Sequence, residues 1–207
     1  MTPADRVYEV IKGTVCTNRT LRDGRRQIAG FYFPGDVLGL EYVNNHPLAA
    51  QAITETRVRI IKKQALNTLA SSDYKVADRL LALTARELAR KQNLVLLLSR
   101  SAEERIIGFL LEMAQRASAT DRIHLPMYRR HIADYLGLTL ETVSRTFRNL
   151  ERRGAIRIAK GSIVLCSQSA NGKTEMMSDI FEAVKSCQPK TEHELDDWLV
   201  SLQARVA

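Results

Sequence analysis

The side chains with the most chemical reach in this chain sit in one short stretch. Between Leu140 and Arg153, the residues Glu141, Arg145, Arg148 and Arg152 recur three or four apart, with Ser144 beside them. On a helix that spacing gathers them onto one face. Val143, Phe147 and Leu150 fall at i, i+4 and i+7 on the other side and are expected to be buried. An Arg-rich outer face over an apolar inner one suits a polyanion.

Charge arithmetic supports that reading. The 207 residues carry 31 Lys+Arg against 23 Asp+Glu, a net charge of +8. Residues 122–160 hold nine basic and three acidic side chains, or +6, while 165–207 hold four basic and seven acidic, or −3. A compact basic segment is the footprint of a nucleic-acid binder.

Other chemistries find no support in the sequence. There is no G-x-S-x-G, no P-loop and no H-E-x-x-H, so an enzyme is not expected. His46, His124, His131 and His193 are scattered, and His131 reads as a surface residue on a basic helix. Cys16, Cys166 and Cys187 lie far apart, which suits neither a disulfide framework nor a zinc site. No apolar run approaches the roughly 18 residues that span a bilayer. The first residues, MTPADRVYEV, lack the apolar core of a signal peptide. No membrane partner and a cytoplasmic location are expected.

These residues need elements to hold them. Tyr128 to Gly137 reads as a short helix, with Ile132 and Leu136 on one face and Gly137 as its stop. Ala133 is small enough to let a second helix cross closely. Thr139 can cap that second helix, Leu140 to Arg153, with Glu141 well placed in its first turn. After Gly154, Ile156–Ala159 and Ser162–Leu165 read as a two-stranded wing. Helix, tight turn, helix and wing form the winged helix-turn-helix plan. Upstream, Ser101-Ala102-Glu103-Glu104 is a capping box that opens a helix to about Arg116.

Across 73–100, Ala77, Leu81, Leu88, Gln92 and Val95 share a stripe, with Leu80, Leu83 and Leu94 widening it. Neither Gly nor Pro interrupts this stretch. A helix of some 25 residues either lies along a sheet or pairs with its own copy, and its length favours a homodimer. The first sixty residues read as β. Strands are expected at Val7–Ile11, Thr14–Thr17, Gln27–Phe33, Ala49–Thr54 and Arg57–Ile61, with Asp23-Gly24 suiting a type I′ hairpin. Short strands between turn signals suggest a sandwich or jelly roll.

This order of elements resembles the CRP/FNR family of bacterial transcription regulators. The likeness covers residues 6–166 and rests on Lys12-Gly13, on Pro34-Gly35-Asp36-x-x-Gly39, and on Ile132-Ala133-Asp134-Tyr135-Leu136-Gly137-Leu138-Thr139-x-Glu141-Thr142-Val143-Ser144-Arg145. The last run, with its E-x-x-S-R, is most similar to the FNR/FixK branch, as are Arg22–Ile28 and Gly30-Phe31-Tyr32. The implied fold is α+β. It comprises a partial double-stranded β-helix (jelly-roll) sensor domain over 1–72, a dimerisation helix over 73–100, a winged helix-turn-helix over 101–166 and a tail over 167–207.

The resemblance implies roles by position. Glu141 accepts from a cytosine amine, Arg145 donates to a guanine edge, and Ser144 touches a thymine. Leu140 stands where the cyclic-AMP receptor has an arginine, which implies a TTGA-type half-site. Arg129, Thr142, Arg148 and Lys160 are implied phosphate contacts, which position the protein without specifying sequence. Tyr128 stands where a small cap usually opens the first helix. It either weakens that cap or brings its hydroxyl to a phosphate. Double-stranded DNA and RNA polymerase are the implied partners, with activation as the output. Leu40 after Gly39, and Leu48, replace the polar pair and the arginine that hold a cyclic nucleotide. Cys16 alone cannot replace the clustered ligands of an iron–sulfur centre. No cofactor is expected.

Against the family pattern, the roll is expected to lack about two strands before Arg6, and the tail after Leu165 to be long. A second reading stays open: a ligand- or redox-sensing regulator using Cys16, near Arg19, or the roll pocket, or a truncated paralogue without function.

Overall fold

The computed structural model describes residues 2–41, 43–117, 122–159 and 162–165. They divide into two compact units that meet at Ala89 and Arg90, inside one helix.

The first unit begins with six strands: β1 (Arg6–Lys12), β2 (Val15–Thr20), β3 (Arg26–Tyr32), β4 (Val37–Leu38), β5 (Ala49–Ala52) and β6 (Arg57–Lys62). They form two antiparallel sheets in the orders β4-β1-β6 and β3-β2-β5. Val10, Val15, Tyr32 and Leu38 pack together as the inner core of this roll. Side chains alternate along β1, so Val7 and Glu9 turn to the opposite face. There Val7 and Ile61 meet Leu66, Val76 and Leu83 from two helices, α1 (Lys63–Ser72) and α2 (Tyr74–Leu98). Glu9 is buried opposite Arg59, whose guanidinium lies 3.0 Å from its carboxylate.

One local reading needs correction. The β2–β3 loop has three residues rather than the two of a type I′ hairpin. The Leu21 N–H donates to the Arg25 carbonyl, the Gly24 N–H donates to Leu21, and Gly24 takes φ +82°. This is the three-residue loop with a left-handed third position. α1 and α2 are separated by a single residue, Asp73, which is extended. Its N–H caps α1 at Leu69, while its carboxylate accepts from the Lys75 N–H at 3.0 Å and its carbonyl from Val76. One residue therefore ends α1 and opens α2.

The first half of the 25-residue α2 lies along the sheet. Val76 and Leu83 face the sheet, and Leu80 packs on the same cluster.

In the second unit, α3 (Ala102–Arg116) opens on the expected capping box. The Glu104 N–H donates to Ser101 Oγ, and the Ser101 N–H donates to Glu104 Oε2 at 2.8 Å. Those bonds hold the Glu104 carboxyl below its ordinary value. Next come β7 (Arg122–His124), α4 (Arg129–Leu136), α5 (Leu140–Arg152), β8 (Ile156–Ala159) and β9 (Ser162–Leu165). The wing is three-stranded, in the order β7-β9-β8, because β7 adds to the pair expected from sequence. The tail 167–207, with Cys187, and also Cys166 fall outside the described residues.

Candidate nucleic-acid interface

The interface is built on the α4–α5 pair. α4 stops at Gly137, at φ 64° and ψ 36°, where both the Gly137 and Leu138 N–H groups donate to the Ala133 carbonyl. Glycine takes this left-handed conformation without a Cβ penalty. Arg105 of α3 donates to the Leu136 carbonyl at 3.0 Å, satisfying another helix-end acceptor. α5 then starts at Thr139, whose Oγ1 accepts from the Thr142 N–H at 3.1 Å. Only three residues, Gly137, Leu138 and Thr139, separate the two helices, so the direction of α5 is fixed by a few hydrogen bonds.

Packing sets which side of α5 faces out. Val143, Phe147 and Leu150 are buried as the spacing predicts, together with Ile132, Leu136 and the α3 residues Ile106, Phe109 and Leu110. The Phe109 and Tyr135 rings lie 5.9 Å apart between α3 and α4. At the far end of α5, Arg153 pairs with Glu103 of α3. The Glu151 carboxylate accepts from the Ile158 N–H at 3.2 Å, tying the helix to β8.

What remains outward is Leu140 (43% exposed), with Glu141, Arg145, Arg148 and Arg152 exposed and Ser144 half-buried. Glu141 and Arg145 have no side-chain partner among the described residues, so both ends are available to a ligand. Arg148 leans back on its own helix, its Nε donating to the Ser144 carbonyl at 3.4 Å. Thr142 is drawn into the cap, its hydroxyl 2.9 Å from that of Thr139. Arg152 donates to Asn149 at 3.2 Å.

The start of α4 adds a second set. Tyr128 is 76% exposed and its side chain makes no capping hydrogen bond. Its N–H instead donates to His131 Nδ1 at 3.3 Å, and the two rings lie 5.8 Å apart. His131 is therefore half-buried and holds the helix start, rather than standing free in solvent as its neighbours suggested. The exposed Arg129 guanidinium sits over the Phe147 ring at 5.3 Å, which anchors its stem to α5. Lys160 lies outside the described residues.

Elsewhere, Cys16 is fully buried, and its neighbour is not the exposed Arg19. An Arg26 Nη donates to its Sγ at 3.1 Å, and Asn18 lies at 3.9 Å. Burial pushes the thiol above its ordinary value and outweighs the pull of Arg26, so the sulfur stays a poorly nucleophilic thiol. No group of three metal-ligating side chains occurs among the described residues, nor is any helix there long and apolar enough to cross a membrane.

Comparison with known proteins agrees with this geometry. Residues 104–170 match the Crp-like helix-turn-helix domain, and residues 2–73 match the cyclic nucleotide-binding domain. The chain is 42% identical over 168 residues to the nitrogen fixation regulation protein FixK of Azorhizobium caulinodans, covering 78% of this chain and 68% of that protein. The chain belongs to the CRP/FNR family, on its FixK-like branch. Another relative is the transcriptional activatory protein AadR of Rhodopseudomonas palustris, 39% identical over 174 residues, covering 77% of this chain and 69% of that protein. Among solved structures, FixK2 from Bradyrhizobium japonicum aligns with a TM-score of 0.76 at 44% identity, covering 86% of this chain and 88% of that one.

The protein is a DNA-binding transcription regulator, and the α4–α5 pair lies within the matched helix-turn-helix domain. The family's named relatives are regulators, not enzymes. At the two roll positions where the resemblance expects ligand-holding side chains, the cyclic nucleotide-binding domain of this chain carries leucines. Leu40 packs against the cluster around Val7 and Ile61, and Leu48 is aliphatic. Neither supplies an acceptor for a ribose hydroxyl or a cation for a phosphate, and a buried phosphate without one is costly.

Proposed function

We propose that this protein is a homodimeric activator that works in the cytoplasm and reads a TTGA-type palindrome through α5, recruiting RNA polymerase. The observation that carries this reading is the outward face of α5, where Glu141 and Arg145 are exposed and free of side-chain partners. Arg145 donates two parallel bonds to a guanine edge and Glu141 accepts from a cytosine amine. Ser144 and Leu140 meet thymine, Leu140 through its exposed aliphatic side chain. Arg129, Arg148, Thr142, Tyr128 and Lys160 hold phosphates and set the register.

The homodimer is supported by α2. Ala77, Leu81, Leu88, Gln92 and Val95 are all exposed. Tyr74, Leu81, Leu88 and Val95 lie seven residues apart and are 77%, 68%, 58% and 68% exposed. A heptad row of large apolar side chains in solvent is the seam of a paired helix. Pairing two copies presents two α5 helices to successive half-sites. Activation follows the name of the AadR relative.

A gel-shift series over rising salt tests the reading. Specific binding should weaken steeply with salt. Arg145→Ala should cost about 1–3 kcal/mol and relax selection at one base position, whereas Arg148→Ala should weaken all sequences alike and shallow the salt slope. Equal affinity for a TTGA palindrome and for scrambled DNA would defeat the proposal. Sedimentation as a monomer at micromolar concentration would remove the role given to α2.

A further inference from the structure

Both sheets of the roll stop at neighbouring strands. β6 is an edge of one sheet, β5 an edge of the other, and residues 53–56 join them. Ile60 stands opposite Tyr8, and Val58 opposite Val10. Cross-strand partners share a face, so Val58 and Ile60 belong to the row that carries the inner core. Val10 in that row is fully buried, yet Ile60 is 53% exposed and Val58 37%. All four residues of β5 are exposed as well. A core-facing apolar row left open at a sheet edge is a surface that proteins cover with another element.

The rim of that surface is basic. Arg57 and Lys62 close the two ends of β6, both exposed and neither in an ion pair among the described residues. Arg59 between them is taken up by Glu9.

One segment of the chain has the complementary composition. Residues 191–203 contain Glu192, Glu194, Asp196 and Asp197 and no Lys or Arg. Leu195, Trp198, Leu199 and Leu202 fall at i, i+3, i+4 and i+7, the spacing of an amphipathic helix. The segment lies outside the described residues. The connecting stretch 166–190 can extend to roughly 85 Å, so tether length imposes no restriction. The reading head also attracts acidic groups, but the outward face of α5 is polar apart from Leu140. It offers the acids a partner and gives the apolar row nowhere to go.

We propose that residues 191–203 of this chain cover the open β5–β6 edge, with Trp198 and Leu199 on Val58 and Ile60 and the acids beside Arg57 and Lys62. Trp198 is the single tryptophan of the chain, so its fluorescence in the full-length protein reports the contact directly. The expected result is blue-shifted emission with weak acrylamide quenching. Ile60→Asp should shift the emission to the red and raise quenching several-fold, with the far-ultraviolet circular dichroism of the roll retained. Should Ile60→Asp fail to fold, the exposed pair Arg57→Glu/Lys62→Glu carries the test. That pair should expose Trp198, and adding Asp196→Lys/Asp197→Lys should bury it again.

Four outcomes would overturn the assignment. One is solvent-like Trp198 emission in the unmodified protein, and another is indifference to both sets of roll substitutions. Exposure of Trp198 on adding operator DNA would place the segment on the reading head. A signal that changed with protein concentration would make the occupant a second copy.

Discussion

Behind α5, Leu136 and Val143 are fully buried, Phe147 and Leu150 are 2% exposed, and Thr146 is the one buried polar residue there among the described residues. The roll is built differently. It buries Glu9, Thr14 and Thr17 while leaving Val58 and Ile60 in solvent. In α5 the apolar Val143, Phe147 and Leu150 turn inward while Glu141, Arg145, Arg148 and Arg152 turn outward, and the interior behind it is held by area and fit. In the roll, part of the interior is held by an ion pair whose partners must stay in register across two strands. The first kind of core loses stability in proportion to the volume removed. The second loses it when one partner is removed, and much less when both are.

The largest expected effect is Phe147→Ala, at about 3–5 kcal/mol. It also strips the ring beneath Arg129, and hydrogen exchange of the α5 amides measures the loss. Arg59→Ala comes next, at roughly 3 kcal/mol, because the buried Glu9 carboxylate loses its cation. The double change Glu9→Leu/Arg59→Met should come close to neutral in a denaturation series on the full chain. A double variant as damaged as the single one would erase the contrast between the two cores.

Gly137→Ala should cost about 1–2 kcal/mol, the strain of a left-handed alanine. A built Cβ meets only Arg105 there, at 3.8 Å, so no clash adds to it. Operator affinity should fall in step with α4–α5 stability, without a change of sequence preference.

The smallest effect concerns pH. Burial raises the Glu41 carboxyl, but the hydrogen bond from His46 at 2.6 Å, a backbone hydrogen bond, and the charges of His46 and Lys63 outweigh it. It ends below its ordinary value of 4.5. A depressed carboxylate stabilises the fold above that ordinary value, and the contribution disappears as pH falls through the folded one. Glu41→Gln should therefore flatten the acid limb of roll stability. An unchanged limb would assign the acid sensitivity to other groups.

The same contrast explains what could be read in advance. Ser101 and Glu104, Gly137, Thr139 and the two wing strands carry local signals, and each stands where those signals put it. β7 escaped because Arg122-Ile123-His124 has one apolar residue and owes its conformation to β9, some forty residues on. β4 has only two residues and is a strand through its pairing with β1. Glu9 read as the polar member of an alternating strand. Only the register with Arg59 reveals that it points inward. On the interface, the outward face of α5 was legible from spacing alone, while His131 was not, because its role is to hold a backbone N–H of its own helix start.

The three-stranded wing has a consequence for synthesis. Its central strand, β9, is the last of the three in the chain, and Ile123 finds its partner only in Ile163. During translation α4 and α5 emerge first, with β7 waiting on one side and β8 unpaired on the other. Neither outer strand has a neighbour until residues 162–165 leave the ribosome. Closure of that loop is an entropic cost met late, so the DNA-binding unit is completed in one step near its end. A nascent chain stalled before Ser162 carries a full α5 without the sheet that anchors it.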